Sequence, residues 1–437
     1  MIRPTAQSPN TEKEHPAMTS PDTHTPLLAT AAPSSPQSPQ AIADVRTTWH
    51  GAWTAAIMRP SGSPWFDTWA EQGFTDQSVR QVVRVNTGGT EVRIRLSNAY
   101  GRTPLHVTGA TIGRTADGAA VQPGTIRQLR FAGSPSATIP ARGRTVSDPV
   151  TLPIKPREQL TITLYFAGTT GPATYHQLSM TTTYRATGDQ HRDPEATAYT
   201  DKVEPGFGSW YYLEGVEVSG GRSRPPSVVA FGDSITDGFG ATVDGDDRYP
   251  DALARRLLAA GRPHPVLNAG IGSNKLLTDS ACGGDAGVSR FTRDALDQPG
   301  VGTVIVLIGI NDIQLHDDRM CGVDRDDPPV TAQHLIDGYR TLIRAAHARN
   351  IKIIGATLTP FRESAGWTAE GESIRAEVNR WIRTSGDYDA VADLDRALDP
   401  TGTGRVPDDL HIGDHIHPSP AGYRAMADAI DLTVLEQ

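Results

Sequence analysis

"SVVAFGDSITDG", Ser227 to Gly238, is the stretch whose reading decides the fold. Four largely apolar residues run into a glycine, an acid and a serine, so a buried strand ends on Ser234. Gly232 allows a tight turn there. Downstream the same rhythm recurs: strands are predicted at Val228 to Phe231, Pro265 to Asn268, Val304 to Ile308 and Ile351 to Ala356, with a weaker one near Val391. Helical patterns lie between them in "YPDALARRLLAAG", "LIDGYRTLIRAAHARN" and "ESIRAEVNRWIR". Alternation of this kind predicts an α/β fold, a three-layer doubly wound parallel sheet over residues 227–437, with its site at the carboxyl ends of the strands.

Upstream the texture differs. Residues 46–218 read as short β segments separated by Gly, Pro, Asn and Asp, which predicts an antiparallel β-sandwich or jelly roll. Within it, "SVRQVVRVNTGGTEVRIRLSN" alternates apolar and polar residues around a Gly-Gly turn and reads as a hairpin with one wet face. "SGGRSRPP", residues 219–226, reads as a linker, and residues 1–45, rich in Pro, Ser, Thr and Ala, as a disordered tail. The net charge of −9 over 437 residues is spread without a basic stripe, which argues against a nucleic-acid partner. No apolar run reaches the roughly 18 to 20 residues of a membrane span, so integral membrane association is not expected. "PLLATAAP" is too short, and lacks the basic flank, for a secretory signal. As written, the chain reads as cytoplasmic.

An exposed serine at a strand end suits a nucleophile, or else a helix N-cap. A serine nucleophile needs a base held by an acid, and "HIGDHIHPSPAGYRAMADAI" supplies Asp414 and His417 three residues apart before a closing helix. Other readings of His411, Asp414, His415 and His417 are a metal cluster or an exposed polar loop. Acyl transfer also needs oxyanion donors. "NAGIGSN" offers backbone amides after the second strand, and "VIVLIGINDI" places Asn311 after the third.

With "FGDSITDG", "NAGIG", "GIND" and "DHIHPSPAGY" in order, residues 227–437 resemble the SGNH (GDSL) hydrolase family, whose sheet is flavodoxin-like. "HGAWTAA", "VRIRLSNAYG", "GPATYH" and "GVEV" resemble the β-sandwich module of a two-domain actinobacterial branch of that family. The resemblance implies Ser234 as nucleophile, His417 as base, Asp414 as its orienter, and an oxyanion hole of the Ser234 and Ser273 amides with Asn311. Ser273 stands where the family usually has glycine, which costs on the order of 1 kcal/mol if the turn needs positive φ. Gly272 is the substitute donor if the loop is shifted. Asp233 and Asp312 would brace the loops.

The reaction expected is hydrolysis of carboxylic esters through an acyl-enzyme, without metal or cofactor. The substrate would be a small-molecule or glycan ester, acetylated carbohydrate first and short-chain lipid or aryl esters next. Alternatives are acyl transfer on the same fold, a glycan-binding protein with a vestigial catalytic domain, and a metallohydrolase using the His/Asp cluster. Cys282 and Cys321 fall in loops at the same edge, as a disulfide in an oxidising compartment or as two thiols. Family resemblance also admits an extracellular protein. Trp65, Trp69 and Tyr249 are expected to pack in the core, the alternative being the wall of a sugar or acyl site.

Overall fold

The computed structural model describes residues 48–202, 208–221, 224–315, 319–321 and 329–435. The expected tail at 1–45 lies outside them. Ser227–Gly232 forms the second strand across a five-stranded sheet, between Val266–Gly270 and Val301–Leu307, with Lys352–Ala356 and Ala390–Ala392 beyond. Every neighbour pair is parallel. In chain order the strands run 2-1-3-4-5, the doubly wound flavodoxin-like arrangement, with the order reversing at the strand that carries the opening motif.

Successive side chains of a strand point to opposite faces, so the unbroken apolar run of this one buries both. Val228 and Ala230 enter one core with Leu253 and Leu257 of the helix Tyr249–Ala259, and with Tyr423 and Met426 of Pro420–Asp428. Val229 and Phe231 enter the other with Phe291 and with residues of the helices Ala332–His347 and Ala369–Thr384. Three layers result. No helix among the described residues is long and apolar enough to cross a membrane.

The N-terminal part forms two principal antiparallel sheets. One orders His50–Thr54, Leu213–Ser219, Gly89–Ser97 and Arg144–Val146, with Val150–Ile154 also on Gly89–Ser97. The other orders Asp201–Lys202, Thr183–Thr187, Gln77–Arg84, Gln159–Phe166, Gly109–Arg114 and Arg127–Gln128. The predicted hairpin does not form, because Gln77–Arg84 and Gly89–Ser97 belong to different sheets. On Gln77–Arg84 the supposed wet face is covered: Arg80 is fully buried, donating to Thr163 Oγ1 and to the carbonyls of Ala119, Asp193 and Glu195, whereas Gly89–Ser97 keeps its alternation of buried and part-exposed residues. Alternation of polar residues marks a solvated face only when nothing covers it.

These sheets share their apolar core with one face of the parallel sheet. Trp53 and Trp210 meet edge to face at 4.8 Å, in the same cluster as Leu267, Ala269 and Ile271. The strand His50–Thr54 covers the edge strand Val266–Gly270, where a Cβ on Gly51 would stand 2.7 Å from Leu267 Cδ1. Asn86 Nδ2 adds a bond to the Val266 carbonyl at 2.6 Å.

Candidate active site

The first strand ends at Gly232, and a short helix, Ser234–Asp237, begins at once. Gly232 is required for close approach, not for positive φ: a Cβ there would stand 2.1 Å from Thr236 Oγ1 and 2.3 Å from the Leu307 carbonyl. The helix is capped by Asp233, whose Oδ1 accepts from the Ile235 amide at 3.0 Å. Ser234 is therefore not the cap, and its hydroxyl is left for other work.

That hydroxyl donates to His417 Nε2 at 2.8 Å, and His417 Nδ1 donates to Asp414 Oδ2 at 2.6 Å. The amides of Ile416 and His417 both donate to Asp414 Oδ1, at 3.2 and 3.0 Å. Burial pushes the Asp414 carboxyl up, but its bond to His417, the His417 charge and those two amides outweigh it and hold the pKa down at about 2. His411 shapes the loop: its Nδ1 accepts from the amides of Gly413 and His415 at 2.9 and 3.2 Å. His415 sits at φ +63, its ring 4.4 Å from that of His411. Among the described residues no three His, Cys, Asp or Glu side chains are grouped as metal ligands.

The loop after the second strand supplies the amides. Ser273 takes φ +58, the left-handed region that favours glycine. The Gly272 amide donates to Asp237 Oδ2 at 3.0 Å, so the substitute donor is already engaged. Among the described residues the Ser234 and Ser273 amides have no protein acceptor. Asn311 Nδ2 donates to the Asn274 carbonyl at 3.0 Å and Oδ1 accepts from Gln314 Nε2 at 3.1 Å, leaving one N–H of the amide over.

Two buried carboxyls support these loops. Asp312 accepts from the amides of Leu276 and Leu277 at 2.6 and 2.9 Å, and burial raises its pKa to about 6. Burial raises that of Asp233 to about 7, and its Oδ2 has no hydrogen-bond partner. Cys282 and Cys321, 39 residues apart, are joined as a disulfide.

Ser234, Gly272, Ser273, Asn311, Asp414 and His417 all open on one cleft of about 270 Å³. Its walls come from both parts of the chain, for Trp65, Phe66, Gln177 and Leu178 line it too. Trp65 is exposed at this mouth instead of packing in the core, whereas Trp69 and Tyr249 are buried as expected. Phe239 meets the His417 ring edge to face at 4.6 Å.

Sequence reading missed Arg290. It is fully buried and binds the carbonyls of Gly232 and Ala269 at 2.7 and 2.8 Å and Asn274 Oδ1 at 2.9 Å, tying two strand ends to the loop between them. A lone arginine among the apolar residues of "AGVSRF" was the available signal.

The model of the GDSL-like lipase/acylhydrolase family matches residues 230–425. A search among curated proteins returns no match. Among solved structures, a lipase/acylhydrolase from Enterococcus faecalis aligns at 22% identity over 47% of this chain and 92% of its own, TM-score 0.36. A variant of an acetyl xylan esterase from Geobacillus stearothermophilus aligns at 21% identity over 49% and 95%, TM-score 0.37. Residues 230–425, which hold the Ser234, Asn311 and His417 blocks, therefore form a GDSL-like lipase/acylhydrolase domain.

Proposed function

We propose that the protein is a serine esterase. Ser234 Oγ attacks the ester carbonyl while His417 Nε2 takes its proton. The oxyanion that develops is held by the Ser234 and Ser273 amides and by the remaining Asn311 N–H. His417 returns the proton to the departing alcohol, and water then repeats the sequence on the acyl-enzyme. The observation that supports this reading is the chain Ser234–His417–Asp414, with links of 2.8 and 2.6 Å, at the mouth of one cleft with unengaged donors. Mass spectrometry after fluorophosphonate treatment tests it. A single adduct on Ser234 is expected; no adduct on folded protein would overturn it.

The oxyanion role rests on the Ser273 amide, which every residue but proline provides. Ser273→Gly should therefore keep kcat within about twofold, and relief at φ +58 should add up to about 1 kcal/mol of stability. Steady-state kinetics and thermal melts check both.

Trp65, Phe66, Leu178, Phe239, Leu315 and Ile416 make the cleft mainly apolar. That lining favours an ester with an apolar acyl or aryl group over an acetylated carbohydrate, whose hydroxyls would meet few polar partners. Across a series of p-nitrophenyl esters, kcat/KM should rise from acetate to hexanoate. Trp65→Ala should raise KM for hexanoate about 5- to 30-fold, the equivalent of about 1 to 2 kcal/mol of apolar burial. A preference for acetate would overturn this choice of substrate.

A further inference from the structure

The segment "TYHQL", Thr174 to Leu178, is where the N-terminal sheets enter the catalytic part. Gln177 and Leu178 line the cleft, and His176 just before them is almost completely buried. Its Nδ1 lies 2.7 Å from the Ala56 carbonyl, and its Nε2 lies 3.0 Å from both the Leu178 carbonyl and Asp237 Oδ1. Carbonyls accept only, and so does an ionised Asp237; with these partners both ring nitrogens donate, the pattern of an imidazolium. Asp237, three residues after Ser234, is its counter-ion. The other oxygen of that carboxylate accepts the Gly272 amide at 3.0 Å.

We propose that His176 is a positioning residue for the oxyanion loop: its ion pair aims Asp237 at the Gly272 amide and so sets the turn that presents Ser273. Each link is buried and directional. Gly270 leaves no slack, because a Cβ there would stand 2.2 Å from the Asp237 amide. The other charged side chains acting on Asp237 are Arg248, paired with Asp246 and Asp251, and Arg290, paired with Asp294. Neither touches Gly272. Burial alone would lower the His176 pKa, but the charge and hydrogen bond of Asp237 outweigh it and raise it. A residue of the N-terminal part thus takes part, at one remove, in the chemistry of the other. The inference rests on the esterase reading.

Two measurements on the full chain test it. With ¹⁵N-histidine labelling at pH 7, the resonances absent from His176→Gln should show two protonated ring nitrogens in the wild type and a neutral ring in Asp237→Asn. In ester hydrolysis, His176→Gln and Asp237→Asn should each lower kcat about 10- to 100-fold with KM within about twofold, a part of the 100- to 1000-fold cost of losing an oxyanion donor outright. The double variant should fall no further than the worse single one, since the two act through one contact. A neutral His176 ring in the wild type, or a folded variant with unchanged kcat, overturns the proposal. If His176→Gln fails to fold, Asp237→Asn and the wild-type spectrum still decide. A wild type inert toward esters would bring down the esterase reading and the role of His176 together, whereas an active wild type with full kcat in the variants brings down the role alone.

Discussion

Ser234→Ala is expected to lose about 10⁵- to 10⁶-fold in kcat on p-nitrophenyl butyrate, the scale seen when a serine nucleophile is removed. Asp233 makes the cap of the short helix, so the substitution removes one oxygen and leaves the Ile235 amide satisfied. Thermal melts should accordingly stay within about 2 °C of the wild type, since the lost hydroxyl borders the cleft and no cap goes with it. His417→Ala should cost nearly as much, and the double variant no more than either, because nucleophile and base work as a unit. Residual activity above a hundredth of the wild type would mean that another group carries the reaction.

Asp414→Asn is expected to lower kcat about 10⁴-fold while the cleft stays intact. The present carboxylate accepts from His417 Nδ1, which leaves Nε2 bare to receive the Ser234 proton. An amide in its place directs N–H at Nδ1, so the ring proton moves to Nε2 and the base is lost. The pH behaviour follows from sign. The folded pKa of about 2 lies below the unfolded value of about 3.9, so the stability this carboxylate lends is full above pH ~4 and fades as pH falls from there to ~2. Stability profiles of wild type and variant should therefore run parallel above pH 5 and converge only in that acid window. Kinetics at pH 7 with melts from pH 2 to 8 would check both, and a loss of less than tenfold in kcat would remove Asp414 from the array.

The parallel sheet was legible because strands buried on both faces are largely apolar, and Gly or Asp marks where most of them stop. Ser234, Asn311, Asp414 and His417 were legible for a related reason: each follows a strand or precedes a helix, where topology converges. The N-terminal sheets were read by kind but not by pairing. Gln77–Arg84 looks half wet in sequence, yet residues far along the chain cover Arg80, and local alternation carries no information about cover from a distance. The same limit hid His176, whose partner Asp237 is 61 residues away, and left Trp65 between core and site wall until the cleft it borders was assembled. Ser273 was flagged as the residue in the wrong place for its backbone, and its φ of +58 is where that strain resides.

The contact of Gly51 with Leu267 bears on how far the two parts of the chain depend on each other. The outer side of Val266–Gly270 is a sheet margin, the kind of ribbon that recruits other chains into aggregates when left bare. His50–Thr54 packs onto Leu267 of this strand, leaving no room for even a methyl group at Gly51 without displacing it, and Asn86 Nδ2 occupies the Val266 carbonyl. Excising the hydrolase half would strip His50–Thr54 from Leu267, so a fragment beginning at Pro225 should associate more readily than the full chain.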